Sequence, residues 1–333
     1  MNCNGFDGMC ERFIADDVLG RSLRIAYFRG MAETKYLVVI GGPTASGKTP
    51  FAVQVATHFH TEIISCDSRQ FYQEMRTGTA RPSASDMQGI PHHFVGHRSV
   101  QHHYSVGDFE KEALALLARL HQQHQVVVAV GGSGLYIKAL CEGLDRFPDV
   151  PESVRADVRR LYVEHGLGAL QQALALADPV YFDMVDRNNP HRLIRALEVC
   201  RATGQPFSTF RQGQTAARNF TPIYILLDLP RSILYDRINR RVDAMLAAGL
   251  LEEARTLYVW RHLSALQTVG YQEVFDYFDE KITLPEAIEN IKQHTRNYAK
   301  RQLTWWRRDG FWQSVHPEQL TDTIAWLDAQ IAQ

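Results

Sequence analysis

The sequence predicts an α/β fold in which a parallel sheet flanked by helices is interrupted by a small all-helical insertion. Short apolar runs alternate with helical stretches through the first half of the chain, the pattern of a doubly wound sheet. One of those runs ends in a glycine-rich turn that opens a helix. From about residue 148 to 214 the only periodicity is helical, and a further apolar run at 223–229 returns the chain to the sheet.

Taken in order, residues 36–40 (YLVVI) read as a buried strand, because a strand covered on both faces loses its polar alternation. A helix follows with Phe51, Val53, Val55, Ala56 and Phe59 on one side, and Pro50 falls in its first turn, where a missing amide costs little. Residues 61–65 (TEIIS) form a second strand that runs into Asp67. Residues 109–123 are helical, with Ala113, Leu114, Leu116, Leu117 and Leu120 facing inward. Residues 125–130 (QVVVAV) make another buried strand, ending at Gly131-Gly132. Within the insertion, breaks are expected at Gly166, Asp178-Pro179, Asn188-Asn189-Pro190 and Gly204. Beyond the strand at 223–229, helices are expected over 231–246, 252–260 and 286–307. The core thus comprises residues 35–147 and 215–315, the insertion 148–214, and a last helix 316–333. The first 34 residues lack clear periodicity. They are expected to lie outside the fold, either as a disordered extension or, since Met31 precedes the first strand, as a misassigned start.

The chain of 333 residues is 45% hydrophobic and 22% charged, with a formal net charge of −1. This is ordinary globular composition, so a surface for a polyanion has to be a local patch. Cys3, Cys10, Cys66, Cys141 and Cys200 are scattered and form no C-x-x-C pair. That spacing suggests neither a disulfide framework nor a zinc knuckle and fits a reducing compartment. No apolar run approaches the roughly 18 residues of a membrane span, and no secretory signal opens the chain. A cytoplasmic location is expected.

The chemistry begins at Gly42, Pro43, Thr44, Ala45, Ser46, Gly47, Lys48 and Thr49, which satisfy G-x-x-x-x-G-K-[ST] between a strand and a helix. Glycines let backbone amides turn toward phosphate oxygens, and the helix N-terminus adds partial positive charge. Lys48 is placed to neutralise a terminal phosphate, and the Thr49 hydroxyl to ligate Mg²⁺. The fold is therefore P-loop NTPase-like. The strand at 125–130 does not end in the acidic residue expected of a nucleotide hydrolase; it ends in Gly131-Gly132-Ser133-Gly134. Asp67 stands instead at the carboxyl edge of the second strand, where ligands bind in open α/β sheets. By its position alone Asp67 is a metal ligand, a base acting on an acceptor, or a strand-end cap.

Eight segments resemble the bacterial tRNA dimethylallyltransferase (tRNA isopentenyltransferase) family. They are GPTASGKT (42–49), CDSRQFY (66–72), RTGTARP (76–82), IPHHFVG (90–96), GGSGLYIKAL (131–140), NPHRLIRALEV (189–199), TVGYQEV (268–274) and AKRQLTWWRR (299–308). They run in family order over about residues 36–309. The resemblance implies transfer of a dimethylallyl group from dimethylallyl diphosphate to N6 of the adenosine 3′ to the anticodon, position 37 of tRNA, with release of diphosphate. It implies that the loop grips that diphosphate, that Asp67 is the general base, and that Gln70 reads the flipped adenine beside Ser68 and Arg69. Ser133 stands where the family usually has Thr and keeps the hydroxyl, near the diphosphate and the target nucleotide. Arg241 is implied in holding the diphosphate. Arg155 and the run His191, Arg192, Leu193, Ile194 and Arg195 are implied in contacting the anticodon stem-loop. Mg²⁺, with Thr49 and Asp67 as ligands, is the expected cofactor, and the protein is expected to act as a monomer away from membranes.

Other signals are weaker. His92, His93, His97, His102 and His103 invite a metal reading, but no Cys or carboxylate is interleaved at ligand spacing and the segment reads as a loop. Arginines at 155, 159, 160, 187, 192, 195 and 201 make the insertion basic in patches, and a second basic stretch runs from Lys292 to Arg308. Trp305 and Trp306 read as core, packing the last long helix onto the sheet. The rival functions are a small-molecule or nucleotide kinase and a non-catalytic RNA-binding protein. Neither accounts for DSRQFY or AKRQLTWW.

Overall fold

The computed structural model describes residues 34–213, 215–308 and 310–332. The expected N-terminal extension, apart from Thr34, lies outside the described residues. Strands β1 (Tyr36–Gly41), β2 (Ile63–Ser65), β3 (His92–His93), β4 (Val126–Gly131), β5 (Thr221–Leu227) and β6 (Gln313–Val315) form one sheet in the order β3-β2-β4-β1-β5-β6. Every pairing is parallel. All carboxyl ends therefore emerge along one edge. β1 is central, in register with β4 from Tyr36 and Val126 to Gly41 and Gly131.

Helices cover both faces, and the two-residue period of a strand decides which side chain meets which layer. Val38, Ile40, Ile63 and Val128 pack against Phe51, Val53 and Val55 of α1 (Lys48–His58). Leu37, Val39, Ile64 and Val127 pack on the other face. Their partners there come from α3 (Val106–Leu120) and α4 (Gly134–Glu142), the short α2 (Ala84–Met87) preceding β3. The insertion consists of α5 (Glu152–Ala177), α6 (Pro179–Met184) and α7 (Pro190–Thr203), with a core of its own that includes Val158, Leu170, Leu174 and Leu193. α5 is broken at Gly166, where φ is 72°. α8 (Arg231–Ala247), α9 (Leu250–Leu257), α10 (Gln272–Phe278) and α11 (Leu284–Arg308) follow β5, and α12 (Leu320–Ile331) closes the chain. Among the described residues no helix is long and apolar enough to cross a membrane.

Several expected boundaries shift. His92 and His93 are not loop but an edge strand beside Ile63 and Ile64, too short for periodicity to show. β6 is only one residue longer and pairs with β5 across a long sequence gap. The second strand begins at Ile63 rather than 61. α3 starts at Val106, because Ser105 and Asp108 form a reciprocal capping box. Trp306 is buried in the core beneath the sheet, with Trp305 packed against it.

Candidate active site

The turns after β1, β2 and β4 meet at the carboxyl edge of the sheet, over a cavity of about 430 Å³. α8, α11 and the loops at 76–82 and 268–270 complete its wall. The phosphate loop enters through backbone that few residues tolerate. Gly47 has φ 91°, and a Cβ on Gly42 would lie 2.9 Å from Ser46 Oγ and 3.0 Å from the Leu227 carbonyl. Thr44, Ala45, Gly47, Lys48 and Thr49 line the cavity, whereas Gly42, Pro43 and Ser46 do not. Ser46 is fully buried behind the loop.

Lys48 Nζ donates to the Pro43 carbonyl at 2.6 Å. Burial lowers this ammonium to about 7, an effect that Asp67 opposes and Arg241 reinforces. Burial also lowers the Arg241 guanidinium, against the pull of Asp67. Two basic side chains and one carboxylate thus share a poorly solvated space, where an entering polyanion would favour the charged form of both bases. Asp67 Oδ1 accepts from the Arg69 amide at 3.0 Å, which fixes the carboxylate at the strand end. Cys66 beside it is no nucleophile, since burial pushes its thiol well up.

Gln70 Nε2 donates to the carbonyls of Thr79 and Ala80 at 3.3 and 3.4 Å, and Arg241 donates to the same Thr79 carbonyl at 3.1 Å. Ile238, Val242, Met245, Val269 and Ile291 give the same cavity an apolar lining. The cavity is amphiphilic.

Lys48, Thr49, Asp67, Ser68, Arg69, Gln70 and Arg241 all line this one cavity. Ser133 does not. Its hydroxyl accepts from the Ser68 amide at 3.0 Å and donates to Ser68 Oγ at 3.1 Å, so it braces the β2 turn. The Arg69 guanidinium is held by the carbonyls of Ser264 and Ala265. Arg155, His191, Arg192, Leu193, Ile194 and Arg195 lie in the insertion, outside the cavity lining. Leu193 corrects the expectation of an RNA contact. It is 0% exposed in the insertion core, because a helix that offers Arg192 to solvent turns the next residue inward. Ile194 is half-buried against that core. Arg195 lies over the Phe147 ring and pairs with Glu198 at 3.6 Å, while His191 and Arg192 are exposed.

Two features escaped the sequence reading. Gln302 of α11 is 7% exposed; it accepts from the Thr44 amide at 2.9 Å and donates to the Gly132 carbonyl at 2.8 Å. The second is Tyr298, which lines the cavity near Ser133 and whose hydroxyl burial pushes up to about 12. Both lie in or beside the AKRQ segment, but no local spacing tells a bridging amide from a surface one. The second basic stretch is largely answered within the protein. Lys292 pairs with Asp243, Arg307 with Asp228, and Arg296 donates to Asn239.

Thr49 and Asp67 are the side chains on this lining that could ligate Mg²⁺. Asp67 Oδ2 accepts no hydrogen bond among the described residues, and both side chains face the cavity that Lys48 enters. Among the described residues no group of three His, Cys, Asp or Glu is arranged to hold a metal. Mg²⁺ commonly takes one or two protein oxygens, with phosphate and water completing its shell, so this donor set fits.

Comparison with known proteins gives one answer. The IPP transferase family model matches residues 70–309. A tRNA dimethylallyltransferase of Christiangramia forsetii is 52% identical, the match covering 83% of this chain and 91% of the relative. Another, of Bacteroides thetaiotaomicron, is 44% identical over 88% and 96%. The crystal structure of a tRNA isopentenylpyrophosphate transferase from Bacillus halodurans superposes with a TM-score of 0.67 at 34% identity, covering 90% of this chain and 97% of that one. A eukaryotic dimethylallyltransferase acting on tRNA gives 0.73 at 26% identity, over 89% and 78%.

Proposed function

Because the chain belongs to the IPP transferase family, whose members transfer a dimethylallyl group to tRNA, we propose that its donor is dimethylallyl diphosphate and its acceptor N6 of adenosine 37, 3′ to the anticodon. The observation that carries this reading is that charged and apolar side chains line one and the same cavity. Its Lys48 and Arg241 suit a diphosphate, its apolar lining suits a five-carbon chain, and Asp67 and Gln70 on the same lining would offer a base and an amide to an adenine edge. Adenine reaches such a site only if unstacked and flipped, and an edge-reading amide then selects it.

In the reaction the N6 lone pair forms a bond to the allylic C1. The C1–O bond breaks, its electron pair leaves with the diphosphate, and the N6 proton passes to Asp67. Lys48, Arg241 and the loop amides stabilise the charge gathering on the leaving group. N6 is a weak nucleophile, so a carboxylate within hydrogen-bond reach lowers the barrier as the proton departs. Mg²⁺, held by Thr49 and Asp67, would add Lewis-acid stabilisation of the diphosphate. The exposed His191 and Arg192, with Arg195 and Arg155, would receive the anticodon stem-loop on the insertion. A cytoplasmic location accords with buried free thiols at Cys66, Cys141 and Cys200, and the reaction as written asks for one copy of the chain.

The test is to incubate purified protein with unmodified tRNA and labelled dimethylallyl diphosphate, digest the RNA and identify the labelled nucleoside. Label on an N6-substituted adenosine next to the anticodon is expected. Dependence on ATP with stoichiometric ADP release would revive the kinase reading.

A further inference from the structure

We propose that Glu253, remote from the phosphate loop in sequence and absent from the cavity lining, is a positioning residue for both substrates; the inference rests on the function just proposed. Glu253 lies in the first turn of α9, and its carboxylate accepts from three successive amides of one loop. Oε2 accepts from the amides of Arg76 and Thr77 at 3.0 and 2.7 Å, and Oε1 from the amide of Gly78 at 2.8 Å. A fourth bond comes from the Tyr271 hydroxyl at 2.6 Å. Three successive amides on one carboxylate form an anion nest, here filled by the protein's own side chain.

The loop so held cannot drift. A Cβ on Gly78 would meet the Tyr271 ring at 2.4 Å, so the backbone already lies flush against that fully buried side chain. One residue further, the Thr79 carbonyl accepts from both Gln70 and Arg241. That carbonyl is the only hydrogen-bond acceptor of the Arg241 guanidinium among the described residues, and with Ala80 O it fixes the Gln70 amide. Glu253 therefore sets, through one peptide group, the side chain proposed to hold the diphosphate and the one proposed to read adenine. A bound nest is also stiff: charge-assisted bonds to a carboxylate are about twice as strong as neutral ones.

Glu253→Gln is the test. Its amide nitrogen would face backbone donors, so the nest loses acceptors without losing volume. Amide exchange at Thr77 and Gly78 is expected to accelerate, while melting temperature and tRNA affinity change little. kcat/KM for dimethylallyl diphosphate is expected to fall about 10–100-fold, the usual cost of misplacing a site from a distance. In an Arg241→Ala, Gln70→Ala background the same substitution should cost far less, because the groups it acts through are gone. Tyr271→Phe, which removes one bond of four, should show the same signature more mildly and serves if Glu253→Gln does not fold. Unchanged transfer by Glu253→Gln, or a loss undiminished in that background, would overturn the proposal. Wild-type protein run alongside separates the two readings, since its failure to modify tRNA would count against the function, and unaccelerated exchange at Thr77 and Gly78 against the clamp whatever the activity.

Discussion

At the scale of single residues, the charge state of Lys48 is the site's most exposed commitment. Its ammonium is lowered to about 7 by burial in the cavity wall. A lysine whose folded value lies below its unfolded one binds fewer protons folded than unfolded between the two. Stability therefore rises with pH through that window, and a buried charge is the burden below it. A diphosphate reverses the balance, because an anion beside Nζ favours the charged form. Affinity for diphosphate should fall as pH rises above about 7, and binding there should take up a proton. Calorimetry in two buffers of different ionisation enthalpy checks this. The heats should differ for the wild type and converge for Lys48→Met, and equal heats for the wild type would mean Lys48 is already charged. Gln70 entered through the family resemblance, whereas Lys48, Thr49 and Asp67 were singled out because each sits at a fixed offset from a strand end. Ser133 shared that legibility, yet its hydroxyl faces Ser68, since a motif fixes a position in the chain and not a rotamer.

At the scale of elements, α7 shows where a helical stretch divides its labour. Asn189 caps it and Pro190 occupies its first turn, so its start was readable from sequence. Which face would be buried was not, because the second basic residue, Arg195, lies near the boundary between core and solvent. Leu193→Ala should destabilise the protein by about 2–5 kcal/mol in urea unfolding, as for other fully buried leucines. A cost below about 1 kcal/mol would place it at the surface after all. Arg192→Ala should leave stability alone and flatten the slope of log tRNA affinity against log salt by about 0.7–0.9, the counterion signature of one phosphate contact. Arg195→Ala should flatten it less, since Glu198 already answers part of that charge. An unchanged slope in the double variant would move the RNA surface elsewhere. The two-residue β3 and three-residue β6 were illegible for a different reason: strands this short carry no periodicity, and only their neighbours in the sheet define them.

At the scale of the whole molecule, α11 ties the far end of the chain to the catalytic edge. Gln302 links the turn after β1 to the turn after β4 across 258 and 170 residues of sequence, a relation no local pattern encodes. The RNA binding proposed for the insertion and the chemistry proposed for the core are separate tasks, and the two should fail separately. The measurement is the single-turnover rate of transfer from dimethylallyl diphosphate at saturating tRNA, for the wild type, Arg192→Ala and Asp67→Asn. Arg192→Ala should recover the wild-type rate once tRNA saturates it. Asp67→Asn should bind tRNA normally and remain slower by about 10²–10⁴-fold, since Asn cannot take the N6 proton. A near-normal rate for Asp67→Asn under those conditions would contradict the account at its centre.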